Sequence, residues 1–199
     1  SANGRYLAFE SQSSDLVLGD TNADSDIFVR DLIAQTTVKV TQHGFTGFSS
    51  GTVAGQLQFS SDNRWLVFAT SKSQVAADTN GVNDVYRWDV QTQTLELVSV
   101  NNGGTAAANN ASDSGSVSGD GRYILFEYSA DFIGNPAIST PGPGNGARQV
   151  YRRDLQLGTT TLVTLDTTGT GGGNGASDLV AVTADARYVL VRTVATNLT

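Results

Sequence analysis

The chain has 199 residues, a formal net charge of −7, no Cys and no Met. The acidic balance argues against a nucleic-acid partner, which needs clustered Lys and Arg. The lack of Cys excludes disulfides and thiolate zinc sites, and no stretch approaches the run of about 20 apolar residues that spans a bilayer. At 39% hydrophobic and 16% charged, the chain can build a core and is too lightly charged for disorder. The absence of Met gives the expectation that Ser1 is not a translation start.

Apolar residues alternate over short runs between Gly, Ser, Thr, Asn and Asp, and no window holds helical spacing for three turns, which is an all-β pattern. The choice of acids agrees: 16 Asp against 3 Glu favours turns and hard-cation loops over helix interiors. In chain order the predicted strands are Gly4–Phe9, Asp26–Leu32 and Thr37–Val40, then Gly55–Phe59, Asn63–Phe68, Asp84–Val90 and Thr94–Val100. Asp113–Val117, Gly121–Phe126, Gln149–Leu155 and Thr160–Leu165 follow, and the last pair is Asp178–Val182 and Ala186–Val191.

These strands are copies of one unit. The Arg-aromatic strand recurs at Gly4, Asn63, Gly121 and Ala186, at intervals of 59, 58 and 65 residues, and the Asp-apolar-aromatic strand recurs in step with it. Four short strands per repeat with Gly, Ser and Asn turns are the unit of a β-propeller blade. Ser118-Gly119-Asp120-Gly121-Arg122-Tyr123, the closely related Ser61-Asp62-Asn63-Arg64-Trp65, and the following Asp-(Ile/Val)-(Phe/Tyr)-x-x-Asp resemble the TolB-type, WD-like propeller repeat of bacterial envelope proteins. The fourth copy, Ala184-Asp185-Ala186, lacks the turn glycine.

The expected architecture is therefore an all-β partial propeller of four-stranded antiparallel blades, one domain over 1–199. Residues 1–42 supply three strands of a first blade, 53–100 and 113–166 are complete blades, and 178–199 begin a fourth, with its two strands within 178–194. That organisation leaves an arc whose end faces, with Tyr6, Leu7, Val189 and Leu190, await further sequence, another subunit or a protein partner. A four-bladed ring closed by pairing 1–42 with 178–194 is the alternative. The recurring Arg5, Arg64 and Arg122 are expected to pair with Asp31, Asp89 and Asp154 across each hairpin.

Two loops carry candidate chemistry. Asp20, Asn22, Asp24 and Asp26 in the first repeat, and Asp78, Asn80 and Asp84 in the second, place side-chain oxygens at alternate positions of a short loop, as a calcium site requires. Asx turns are the structural alternative. The equivalent third segment, 134–148, holds three Pro and no carboxylate, so no such site is expected there. Gly47-Phe48-Ser49-Ser50-Gly51 matches a nucleophile elbow, but the lone His43 precedes it and no helix follows, so Ser49 and His43 are expected in a linker without catalytic role. The Gly-rich 168–175 lacks a following Lys or helix for a phosphate. The combined expectation is a non-catalytic, calcium-stabilised interaction or assembly module outside the cytoplasm of a bacterium: periplasmic, cell-surface or secreted. The alternative is the propeller portion of a larger hydrolase or peptidase.

Overall fold

The computed structural model describes residues 1–22, 24–44, 57–101, 104–129 and 146–198. Among these are thirteen strands: β1 (Tyr6–Ser11), β2 (Asp26–Asp31), β3 (Thr36–Lys39), β4 (Gln58–Phe59), β5 (Trp65–Thr70), β6 (Asp84–Asp89), β7 (Leu95–Leu97), β8 (Ser112–Val117), β9 (Tyr123–Ser129), β10 (Arg148–Asp154), β11 (Thr159–Leu162), β12 (Ser177–Val182) and β13 (Val189–Thr193). They form four antiparallel sheets, ordered β1-β2-β3, β4-β5-β6-β7, β8-β9-β10-β11 and β12-β13. These are referred to as blades 1 to 4. The first and last sheets stay separate, so the terminal segments do not merge into one blade.

Each sheet is apolar on both faces because alternate side chains of a strand point to opposite sides. In β5, Leu66 and Phe68 enter a cluster with Ile27, Val29 and Val40 of blade 1. Val67 lies on the other face and joins Val85 and Val98 against Val117, Ile124 and Phe126 of blade 3. The pattern repeats one blade on, where Leu125 and Val150 meet Leu179, Val189 and Val191. Two residues expected on open faces are therefore covered: Tyr6 packs into the blade 1–2 cluster and Val189 into the blade 3–4 cluster. Their neighbours Leu7 and Leu190 are the exposed ones.

The turn that leads into β1, β5, β9 and β13 has a fixed design. The hydroxyls of Ser60, Ser118 and Thr183 accept the backbone N–H groups of Trp65, Tyr123 and Tyr188 at 2.9, 2.9 and 3.1 Å. Asp62, Asp120 and Asp185 accept those of Arg64, Arg122 and Arg187 at 3.1, 3.0 and 3.1 Å. Ser1 and Asn3 do the same for Tyr6 and Arg5 at 2.9 and 3.0 Å, so the first copy begins earlier than Gly4. The next position is left-handed in all four turns, with φ of 70° at Gly4, 63° at Asn63, 73° at Gly121 and 53° at Ala186.

The Arg after each turn reaches across its hairpin. Arg5–Asp31, Arg64–Asp89 and Arg122–Asp154 are each 2.7 Å apart. The same carboxylates accept turn N–H groups: Ile33 and Ala34 for Asp31, Gln91 and Thr92 for Asp89, Gln156 and Leu157 for Asp154. The Arg5 and Arg122 guanidiniums are the main cause holding Asp31 and Asp154 down to about 2. The recurring Asp thus fixes the turn after its strand as well as pairing with Arg.

Gly121 carries two constraints at once, a left-handed φ and a place against blade 2. A Cβ there would lie 1.9 Å from Trp65 Cδ1. Gly121→Ala is expected to destabilise by about 2–4 kcal/mol through strain and overpacking. Ala186→Gly, which relieves the same backbone strain in the fourth turn, is expected to stabilise by about 0.5–1 kcal/mol. Urea titrations of both variants check the pair, and equal effects of one sign would contradict this account of the turn.

Candidate functional site

The Asp-rich loops lie at the end of the blades opposite these turns, where β1 passes to β2 and β5 to β6. Asp26 and Asp84 begin β2 and β6, and Gln149 is the second residue of β10; all three are fully buried. A hydroxyl from the segment after β3, β7 or β11 meets each of them: Thr41 at 2.5 Å, Ser99 at 2.6 Å and Thr164 at 2.6 Å. The same hydroxyls accept the N–H groups of Ile27, Val85 and Val150 at 3.2, 2.9 and 3.2 Å. This latch ties β2 to the end of β3, β6 to the end of β7 and β10 to the end of β11.

What differs is how the buried acceptor is balanced. In blade 1 the Lys39 ammonium lies 2.8 Å from both Asp20 Oδ1 and Asp26 Oδ2. Burial works against the charged lysine, but hydrogen bonds to Asp20 and Asp26 outweigh it and raise its pKa. Blade 2 has Leu97 at the matching position, since Lys39 pairs with Phe28 and Leu97 with Tyr86. There Asp84 accepts Asn80 Nδ2–H at 2.7 Å besides Ser99, and Asp78 accepts the Tyr86 hydroxyl. Burial, with smaller contributions from Asp78 and Asp113, pushes the Asp84 carboxyl up to about 7 despite the hydrogen bonds from Ser99 and Asn80. In blade 3 Gln149 is neutral and donates to the carbonyls of Gly173 and Gly175 at 2.9 and 3.2 Å.

The expected calcium ligands are therefore divided. The structure brings Asp20 and Asp26 together around Lys39, while Asn22 accepts the Asp24 N–H at 3.0 Å as an Asx turn. Asp24 turns away to Lys72 of blade 2 at 3.3 Å. The four oxygens do not surround one centre, because a tethered cation from β3 already sits between two of them. The donor set of this loop does not fit a calcium ion. In the second loop Asp78, Asn80 and Asp84 stay within one hydrogen-bonded network that contains no cationic side chain among the described residues. No group of three or more His, Asp or Glu among the described residues is arranged to hold a metal.

A shallow cleft of about 350 Å³ opens beside Lys39, lined by Gly19, Thr21, Asn22, Asp24, Gln42 and His43. His43 is exposed there. Ser49 and most of the third loop lie outside the described residues. Between blades 3 and 4 lies a further polar group that the sequence pattern did not single out. Arg148 meets Asp178 and, at 3.5 Å, Glu127, and Arg192 meets Asp178 at 2.7 Å. Glu127 accepts the Leu179 N–H at 2.7 Å, and burial raises its pKa. Its recurrence with Glu10 was the one signal in the sequence, although Glu10 instead accepts the Ser25 hydroxyl within blade 1.

No family model matches the chain, and no curated protein does. Among solved structures it is similar to TolB from Acinetobacter baumannii, at 16% identity and a TM-score of 0.52, over 99% of this chain and 40% of that one. A putative TolB from Agrobacterium tumefaciens gives 16% identity and a TM-score of 0.51, over 97% of this chain and 56% of that one. The chain spans about half the length of these structures or less, and the likeness shows a TolB-like β-propeller fold.

The latch predicts a pH effect with a definite sign. Unfolded Asp84 titrates near the ordinary value of 3.8 and folded Asp84 at about 7. Below the first value both states are protonated; between the two the unfolded chain has lost a proton that the folded one keeps, so this group lowers stability as pH rises to about 7. Asp84→Asn, which copies the amide that Gln149 supplies in blade 3, is expected to become stabilising relative to wild type as pH rises across that window. Melting curves at several pH values measure it, and a pH-independent difference would contradict the buried, uncompensated carboxyl.

Proposed function

We propose that the chain is a non-catalytic, extracytoplasmic propeller module that serves protein interaction or assembly. The observation carrying this reading is the deployment of its recurring polar groups. The Arg–Asp pairs, the Ser/Thr–Asp turns and the Asp/Gln–hydroxyl latches hold backbone and blades together. Blade 4 carries four exposed apolar side chains, Val180, Tyr188, Leu190 and Val194, on or beside its two strands, and Leu7 is exposed at the other end of the arc. Exposed apolar groups clustered in this way mark surfaces for other macromolecules. The envelope setting is supported by the repeat resemblance and the TolB-like fold.

Calcium enters this reading only through Asp78, Asn80 and Asp84, where no ammonium stands in the way. A bound cation would favour ionised Asp84 and offset the cost that its burial imposes. Melting with millimolar calcium should then raise stability in wild type and not in Asp84→Asn; no shift in either removes calcium from the account.

The interaction reading is tested by placing a photoreactive residue at Leu7 or Leu190, with Leu157, an exposed residue on the outer turn of blade 3, as control. Protein cross-links in cells from either end position and none from Leu157 are expected. Equal yields at all three positions would overturn the reading.

A further inference from the structure

Three arginines of this fold are partnered in one way. Arg5, Arg64 and Arg122 each present the Nε–Nη2 edge of the guanidinium to the carboxylate across the hairpin, at 2.7 to 3.1 Å. This fork is what suits arginine to carboxylates and phosphates. Arg153 departs from the pattern. It is 7% exposed, its Nε is buried without a hydrogen-bond partner, and its one hydrogen bond among the described residues runs from Nη1 to Thr160 Oγ1 at 3.2 Å. The carboxylates that act on it are engaged elsewhere, Glu96 with Arg87 at 2.6 Å and Asp154 with Arg122 at 2.7 Å. Burial lowers the pKa of the Arg153 guanidinium. A buried charge is costly without a partner, and an orphaned buried donor points to a water or an ion.

The fold does not itself ask for arginine here. Arg153 shares the face of β10 that carries Tyr151 into the core between blades 2 and 3. The matching residue of blade 2, just before Asp89, is Trp88, which is 2% exposed and fills the contact with blade 1. Blade 1 has Arg30, which makes the same Nη1 hydrogen bond, to Thr37 at 3.1 Å, but is only half-buried. An apolar ring thus suits the covered position, and blade 3 buries a charge in it. The space beside Nη2 is open as well. The turn after β10 has Gly158 where those after β2 and β6 have Gln35 and Gln93, all three left-handed, with φ of 67°, 56° and 56°. A Cβ at Gly158 would lie 4.0 Å from Arg153 Nη2, and one at Gly104, in the segment joining blades 2 and 3, 3.7 Å from it. Beyond its chain neighbours, neither would meet another described residue within 4 Å, and both glycines are exposed.

We infer that Arg153 anchors a binding site for one small oxyanion, a carboxylate or a phosphate, which enters between Gly104 and Gly158 and takes the Nε–Nη2 edge of the guanidinium while Thr160 holds Nη1. The anion supplies the pairing that Arg5, Arg64 and Arg122 find within the chain. Arg153 and the two glycine turns come from separate segments and meet only in the folded state. The ligand therefore binds that state alone and stabilises it by mass action.

Melting of the purified chain at neutral pH and fixed ionic strength, titrated with sodium acetate or sodium phosphate in place of sodium chloride, tests this. A saturable rise of about 2–4 °C over chloride is expected with at least one of the two anions. The anion that gives it identifies carboxylate or phosphate as the preferred ligand. Arg152→Gln, which removes the neighbouring guanidinium stacked on Tyr123 at 5.0 Å, should keep the rise. Arg153→Gln should lose it. Should that variant fail to fold, Gly158→Glu takes its place, since the turn carries Gln at this position in two other blades and the new carboxylate occupies the fork; it too should lose the rise. No rise in the wild type with either anion overturns the inference. So does a rise that never saturates, or one that Arg153→Gln or its replacement retains, because salts excluded from any protein surface act in that way.

Discussion

A sheet with apolar side chains on both faces must be covered twice, and that requirement organises this molecule. Val67 and Phe68 are consecutive residues of one strand, yet each is buried against a different neighbouring blade. No blade can complete its core alone, so stability is a property of contacts between successive sheets, as in other repeat architectures. Burial of side chains of this size contributes roughly 1.5–3 kcal/mol each, far above what the half-exposed Arg–Asp pairs add. The ion pairs set turn geometry, and the stack supplies the stabilisation.

Polar groups then solve one problem in three ways. Every blade from 1 to 3 buries an acceptor near the start of β2, β6 or β10 and anchors it with a hydroxyl from beyond the following strand. Lys39 neutralises it in blade 1, protonation is favoured in blade 2, and an amide replaces it in blade 3. The hydrogen-bond geometry is kept while the charge is handled differently, as a structural role permits. The proposal of an interaction module draws on this contrast between satisfied polar groups and uncovered apolar faces.

The strands were legible because alternation and a repeat of about sixty residues reinforce each other; β2 and β6 begin at Asp26 and Asp84 where the pattern placed them, and β10 begins at Arg148, one residue before the expected Gln149. The Arg–Asp pairs were legible because antiparallel register puts the two strand ends opposite, as Tyr6 lies opposite Asp31. The first Asp loop was misleading for a physical reason. Spacing shows which oxygens can converge, but their counter-ion, Lys39, comes from a different strand and only the hairpin brings it in. Which of two adjacent apolar residues faces outward, Val189 or Leu190, was equally hidden, because both sides of the sheet are apolar. Ser1 and Asn3 escaped notice because Asn stands where the other copies have Asp.

Amide hydrogen exchange resolved by strand tests the central claim, that protection follows the number of covered faces. In monomeric chain, β5, β6, β9 and β10, in blades covered on both sides, should exchange only through global opening. β13 should exchange faster, because blade 4 has an uncovered rear face and only two strands. Uniform protection across the four sheets, or greatest protection in β12 and β13, would contradict a structure held together by stacking from blade to blade.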